Sequence, residues 1–488
     1  MRVVFVTDQK QEWFEVPEAA VLTARRYLSE LDGGSEAGIR VINLCRTGRY
    51  QGRGYYVSLL AEARGQRPLP DVKTVEDLKS EDRVRALAVQ LEPLVHETLH
   101  HDGSDRFELA VYFGKDPAER HQALADQLFA NVRAPLLRAL FGRANGPWRL
   151  EAVEAIGVAD VPAQHRAFLL DAAKAFGAAA ASGKPQRTGS GHGKPRLAIL
   201  WDANEPHKPS YEEALQRLVK AAPLVGLEAE LVGPDALARL PEFDALFNRA
   251  SPEVDGVVYE FVRRAESMGM PVVDDPESIL RCLNKVYMHE LMNRHRIATP
   301  KTLTVHRGNV DQIVPMLGLP CVLKLPDSGF GLDVVKIEAE AQLQQQAERF
   351  FKVSELFVAQ EWLPTGFDWR VGVYDGRPLF VAKYFMAPGH WKIINAEAGM
   401  TEGRTQAMAI GEAPEPVIAI AVRAANLIGR GLYGVDLKQV DDRVLLIEVN
   451  CNPNIDADNE DQVLGEALYR ELLGVFARRI AERRSTAA

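Results

Sequence analysis

The chain has 488 residues, 47% hydrophobic and 26% charged, a balance that excludes collagen-like and largely disordered chains and predicts about three domains at roughly 150 residues each. Lys plus Arg number 58 against 67 Asp plus Glu, a formal charge of −9; a mildly acidic surface argues against nucleic acid as main partner, though a local basic cleft can still hold a nucleotide. No apolar run approaches the ~20 residues of a membrane span, no signal-peptide core of ~7–15 apolar residues opens the chain, and Cys45, Cys282, Cys321 and Cys451 show no paired spacing, so a cytoplasmic protein without a membrane partner is expected.

Residues 2–7 (RVVFVT) and 38–44 (GIRVINL) read as short buried strands, with a helix over 17–31 opened by a proline in its first turn. Residues 107–113 (FELAVYF) are a third strand, and 72–79, 83–100, 118–141 and 161–180 read as helices. This predicts an N-terminal α/β domain over 1–180 whose role the pattern does not disclose. Residues 181–195 (ASGKPQRTGSGHGKP) carry Gly, Ser and Pro and no large apolar side chain, the composition of a flexible linker. Strands at 196–201, 228–232, 243–249 and 271–273 then alternate with helices at 210–225, 251–268 and 284–296, which argues for a small parallel sheet with crossover helices. From Thr302 onward the pattern is hairpin-rich α+β.

Three stretches carry chemistry. In CVLKLPDSGFGLDVVKI (321–337), two apolar runs flank a loop containing Ser328, Gly329 and Gly331, with Lys324 before it. Two glycines let backbone N–H groups converge on an anion beside the lysine charge; an ordinary glycine hairpin fits the same residues, and the Walker pattern is missing. In VAQEWLPTGFDWR (358–370), an apolar strand ends in Glu361, Trp362 and Leu363 ahead of Asp368 and Arg370. A strand end can offer backbone groups to an adenine edge, and a carboxylate can take ribose hydroxyls. In YGVDLKQV and RVLLIEVN, Glu448 and Asn450 share one face of a strand, and Asp436 lies on the strand before it. Carboxylates in a buried strand need a partner, and a hard divalent cation is a natural one. Asp436 joins the face of Glu448 only if paired residue numbers have an even sum, whereas a two-residue loop at 441–442 gives an odd one; a three-residue loop or a β-bulge is therefore predicted.

Lys285, Lys324, QEWL, DWR, Asp436 and EVN, in this order, resemble the ATP-grasp superfamily, and within it RimK-type carboxylate–amine ligases. VLKLPDSGFG, QEWLPTGFDWRV, GVDLKQ and LLIEVNCNPN carry the likeness, over about residues 196–480. The whole chain is similar to the longer subgroup with an additional N-terminal domain. The resemblance implies a pre-ATP-grasp domain over 196–283, a small lobe over 284–356 and a large lobe over 357–488, the lobes being α+β and gripping ATP. It places Lys285, Lys324, Ser328, Gly329 and Gly331 on the phosphates, Glu361, Trp362 and Leu363 at the adenine, and Asp368 on the ribose. Asp436, Glu448 and Asn450 would hold Mg²⁺, with Mn²⁺ an alternative, and Arg370 and Lys392 would be catalytic. The implied reaction joins a small carboxylate to an amine through an acyl phosphate, glutamate ligation to an amino acid or peptide terminus being one form of it. The alternatives are a kinase acting on a small-molecule hydroxyl and a nucleotide-binding regulatory module; an oligomer is compatible with either. One segment departs from the family: where an Arg-Ser-Asn type stretch is usual, residues 389–395 read GHWKIIN, leaving Lys392 and Asn395 as the groups that could serve.

His96-Glu97-Thr98-Leu99-His100 matches the zincin pattern, with both imidazoles one helical turn apart. The helix ends there, and histidines also suit a helix C-terminus; the sequence shows no third ligand.

Overall fold

The computed structural model describes the chain except residues 1, 17–18, 30–38, 100–103, 144–146, 180–193, 206–207, 255, 328–332, 396–400 and 488. It divides into two compact units: Met1–Lys184 with Phe351–Leu356, and Pro185–Phe350 with Phe357–Ala488. The expected linker at 181–195 lies almost wholly outside the described residues.

In the first unit, β1 (Val3–Thr7), β2 (Ala20–Thr23), β3 (Arg40–Asn43) and β4 (Arg67–Leu69) form a parallel sheet ordered β2-β1-β3-β4. An antiparallel sheet follows, β5 (Arg106–Tyr112), β6 (Leu136–Gly142) and β7 (Arg149–Ala155) in that order. Leu87, Leu91, Val95 and Leu99 recur every four residues along the helix Glu81–Leu99 and pack on Leu137, Ala139 and Phe141, which alternate along β6; each spacing is the period of its element.

Three expectations need correction here. Residues 17–31 are not one helix: Ala20–Thr23 is a strand, and among the described residues of this span only Ala24–Ser29 are helical. Val21, Leu22 and Thr23 suit a pleat, and β1 pairs with them. Residues 118–141 split into the helix Gln122–Asn131 and strand β6. Pro135 interrupts the helical pattern, and LLRALFG is leucine-rich because it fills the middle of a sheet. The last helix of the unit begins at Arg166, after two short 3₁₀ turns, rather than at 161. Of the zincin-like motif, His96 and Glu97 are exposed and His100 lies outside the described residues; no group of three His, Cys, Asp or Glu able to hold a metal occurs among the described residues.

The second unit opens with β8 (Arg196–Leu200), β9 (Glu228–Val232), β10 (Ala245–Asn248) and β11 (Val272–Val273), parallel, in the order β11-β10-β8-β9. Ile199 and Phe247 meet Leu215 and Leu218 of the helix Glu212–Ala221, and Leu472, Leu473 and Phe476 of the helix Glu466–Ala487. Next come β12 (Thr302–Val305), β13 (Cys321–Lys324), β14 (Val334–Ile337) and β15 (Phe357–Glu361), antiparallel in the order β12-β15-β13-β14. Strands β16 (Phe367–Tyr374), β17 (Arg377–Phe385), β20 (Thr405–Met408), β21 (Leu432–Val440) and β22 (Arg443–Cys451) form a five-stranded sheet, β20-β17-β16-β21-β22, beside a ribbon of β18 (Ile394–Asn395) and β19 (Thr401–Glu402). No described helix is long and apolar enough to cross a membrane.

The β21–β22 hairpin resolves the register problem. Val440 pairs with Arg443, so the loop has two residues, with Asp441 in the left-handed region at φ 51°. A bulge falls between Asp436 and Leu437: Leu437 faces Leu446, but Asp436 faces Glu448, and Ile447 is the extra residue. The bulge moves Asp436 onto the face of Glu448 and Asn450.

A buried knot anchors the end of β22. Arg249 is 1% exposed and donates to Asn452 Oδ1 at 2.5 Å, Pro209 O at 2.6 Å and Pro453 O at 2.8 Å. The Asn452 side chain donates to Ala250 O at 2.7 Å, and its backbone N–H to Asp274. Burial pushes the Asp274 carboxyl up to about 7 and Arg249 down to about 10. These bonds hold residues 452–453 against the parallel sheet and so set where Asn450 and Glu448 begin.

Candidate active site

Asn284 caps the helix Lys285–Arg294 by accepting from Tyr287 N–H at 3.0 Å. That cap puts Lys285 at the first helical position, where an ammonium opposes the positive end of the helix dipole. Both positive groups suit an anion. The Lys285 backbone N–H donates to Pro326 O at 3.1 Å, tying this helix end to the segment after β13.

On β13, Lys324 is 9% exposed. Val322 pairs with Gln360 across β13 and β15, so Lys324, two residues on, shares the Gln360 face. Its Nζ donates to Gln360 Oε1 at 2.8 Å, and Gln360 donates to Thr302 Oγ1 at 3.0 Å. Burial, foremost, pushes the Lys324 ammonium down to about 8; Glu448 pulls it up, and Lys285 and Lys438 push it further down.

The five-stranded sheet supplies the opposing charges. Asp436 pairs with Arg370 across β21 and β16, and the guanidinium holds both carboxylate oxygens, one through Nη2 at 2.9 Å and the other through Nε. Gly434 gives Arg370 room: a Cβ there would meet Arg370 Cδ at 3.2 Å and Pro453 Cβ at 2.7 Å. Asn450 Nδ2 donates to Asp436 Oδ2 at 2.9 Å and to Glu448 Oε1 at 3.3 Å. Burial pushes Asp436 up to about 6 against the pull of Arg370, with Glu448 adding to the rise. Glu448 goes the other way. Burial alone would raise it, but the ammoniums of Lys285 and Lys324, and then Asn450 and Arg370, hold it below the usual carboxylate range.

Asp368 Oδ1 accepts from Lys438 Nζ at 2.6 Å and from Thr365 Oγ1 at 3.0 Å. Lys438 lies two residues from Asp436, so period-2 alternation along β21 was the signal that could have singled it out. Gln360 and Tyr384 are further additions: the Arg370 guanidinium lies 4.8 Å over the Tyr384 ring, and the Tyr384 hydroxyl donates to Glu460.

At the end of β15, Glu361 accepts the Lys301 N–H at 2.8 Å through its carboxylate, and its own N–H donates to Lys301 O at 2.9 Å. The Trp362 indole carries the Lys336 ammonium 4.6 Å over its ring and meets Trp391 edge-on at 5.0 Å. His390 stacks on Trp391 at 5.9 Å, and the Lys392 ammonium lies 5.1 Å over the same ring.

The structure therefore joins buried Lys324, Asp368 and Asp436 with half-buried Lys285, Arg370, Glu448 and Asn450 in one charge network. Glu361 and Trp362 lie at the end of β15, followed by half-buried Leu363. Lys392 belongs to the aromatic cluster around Trp391. Ser328, Gly329 and Gly331 lie outside the described residues, and so does the Asn395 side chain. Asp436, Glu448 and Asn450 offer hard oxygen atoms and only two carboxylates, which fits Mg²⁺ that completes its octahedron with phosphate oxygens rather than an all-protein cage.

Two family models match the chain: RimK-like ATPgrasp N-terminal domain over residues 24–172 and RimK-like ATP-grasp domain over 282–467. The chain is 26% identical over 280 residues to a probable alpha-L-glutamate ligase 2 of Shewanella sp. (strain MR-4), covering 54% of this chain and 89% of the relative. To a probable alpha-L-glutamate ligase of Vibrio vulnificus (strain YJ016) it is 27% identical over 230 residues, covering 46% and 74%. Among solved structures, a D-alanine–D-alanine ligase from Bacillus anthracis superposes with a TM-score of 0.47 at 17% identity, covering 61% of this chain and 100% of that one.

Proposed function

We propose, for a chain that belongs to the RimK-like ATP-grasp family and is an ATP-dependent carboxylate–amine ligase, that its charge network binds ATP and that its substrates are amino-acid-like. Glutamate as the amino acid added is supported by the names of its relatives. One observation carries the placement of ATP. The ammoniums of Lys285 and Lys324, on a helix N-terminus and a strand of the four-stranded sheet, both act on Glu448 of the five-stranded sheet, and a triphosphate with its cation matches that alternation of charge. We assign residues 196–283 as the pre-ATP-grasp domain, 284–356 as the small lobe and 357–488 as the large lobe, with 1–180 a separate domain and 181–195 the linker. Four cysteines without a disulfide suit a cytoplasmic setting.

In this reading a substrate carboxylate oxygen attacks the γ-phosphorus, the bond to the β-phosphate breaks and ADP leaves. The amine nitrogen then attacks the acyl carbon, expels inorganic phosphate and loses a proton. Lys285 and Lys324 hold the phosphates and offset developing negative charge. Arg370, released from Asp436, faces the acyl phosphate. Asp436, Glu448 and Asn450 would hold Mg²⁺, which would supply neutralisation of phosphate charge when bound. Backbone groups of Glu361, Trp362 and Leu363 take the adenine edge, Asp368 the ribose hydroxyls, and Ser328, Gly329 and Gly331 the phosphates. Lys392 serves the acceptor. The test is product identity: with ATP, glutamate and a glutamate-terminated peptide, ADP and free phosphate form one-to-one and the product gains one amide bond. A stable phosphorylated product would assign a kinase instead.

Trp391 gives the departing 389–395 segment a purpose in this scheme. Its contact with Trp362 braces the end of β15, which this reading gives to adenine, so Trp391→Ala should raise the KM for ATP about tenfold while Trp391→Phe keeps it near normal. An unchanged KM in Trp391→Ala would leave that contact as packing only.

A further inference from the structure

The first unit carries a separate concentration of positive charge. Strands β3 and β4 each open with an arginine, and their parallel register sets Arg40 beside Arg67. Paired residues of adjacent strands point to one face, here the face that carries Ile42 and Leu69 into the core with Phe176. Arg133, beyond the helix Gln122–Asn131, lies with its guanidinium 5.2 Å over the Phe129 ring. The Arg40 guanidinium lies 5.1 Å over Phe176, and the two rings meet edge-on at 6.1 Å. Arg40 and Arg133 thus each lie against one ring of a single aromatic pair, and Arg67 is in register beside Arg40.

Among the described residues, none of these three guanidiniums pairs with a carboxylate or donates a side-chain hydrogen bond. That is unusual in a chain with 67 acidic residues. Arg40 is also half-buried, and burial, then Arg133 and Arg67, lower its basicity. Like charges held together without a counter-charge cost free energy that a ligand can recover. A cation–ring contact uses none of the guanidinium N–H donors, whose planar fork matches carboxylate and phosphate oxygens. Arg67 and Arg133 are exposed, so the fork is reachable from solvent.

We propose that Arg40, Arg67 and Arg133 form an anion site for a small ligand bearing two or more neighbouring oxyanions, phosphate or carboxylate. A monoanion leaves two of the three charges uncompensated. The nucleotide network belongs to the other unit.

Inorganic pyrophosphate and citrate, titrated separately into the full-length chain at low salt without Mg²⁺, test it by calorimetry. At least one probe should bind to wild type and to Lys324→Met alike. The affinity should fall tenfold or more in Arg67→Gln/Arg133→Gln, whose exposed positions spare the core, and further when Arg40→Gln is added. Tighter pyrophosphate assigns a phosphate ligand, and tighter citrate a polycarboxylate. No binding of either probe, binding lost in Lys324→Met, or binding unchanged in the double variant would overturn the site. Because Lys324→Met disables the nucleotide network and not this one, failure here is distinguishable from failure of the ligase reading.

Discussion

Glu448→Gln is expected to abolish amine-dependent ADP release while the chain stays folded. Glutamine keeps the shape of the side chain and can still accept from Asn450 Nδ2, which lies 3.3 Å from Glu448 Oε1. What is lost is the charge. Glu448 stays ionised in a buried site because Lys285 and Lys324 face it, and in turn it raises the Lys324 pKa. Neutralising it removes a ligand for the cation and makes the Lys324 ammonium harder to keep protonated. Losing one preorganised electrostatic contact typically lowers turnover by roughly 10²–10³, and this substitution disturbs several. Near-normal turnover by Glu448→Gln with an unaltered unfolding midpoint would remove the metal and phosphate assignments together.

Lys324→Met should separate activity from stability. The ammonium is desolvated enough that its pKa is pushed down to about 8, against ~10.4 for an ordinary lysine. At neutral pH the charge therefore costs roughly 3 kcal/mol of folding free energy. That cost fades as pH rises from about 8 toward the unfolded value, because over this window the unfolded chain binds the extra proton. Methionine fills similar space without the charge but leaves Gln360 Oε1 without its donor. We expect kcat/KM for ATP to fall by about 10²–10³ while stability at pH 7 is unchanged or higher, a difference that narrows by pH 10. A stability loss at pH 7 with activity retained would mean that Lys324 is a structural cation.

Much of this site was legible before any coordinates, because its parts follow local rules. Lys324 sits ahead of a loop, Glu448 and Asn450 are two apart on a strand, and parity alone required the irregularity that appears as the bulge after Asp436. What could not be read is tertiary. Asp436 is held by Arg370 because β16 and β21 pair in one particular register, and Asp368 is held by Lys438 from 70 residues away. No local pattern encodes either. The Trp362–Trp391 contact likewise depends on where the 389–395 segment is carried by the sheet. In the first unit, LLRALFG reads as a helix by composition and is a strand by its neighbours: β5 and β7 flank it on both sides. Arg40 and Arg67 become a pair only once β3 and β4 lie in register.

The most direct measurement is a calorimetric titration of ATP into the full-length chain with and without Mg²⁺. The account predicts one saturable site whose affinity depends on Mg²⁺ and is lost in both Lys324→Met and Glu448→Gln. Binding that ignores Mg²⁺ and survives both substitutions, or no binding at all, would contradict it.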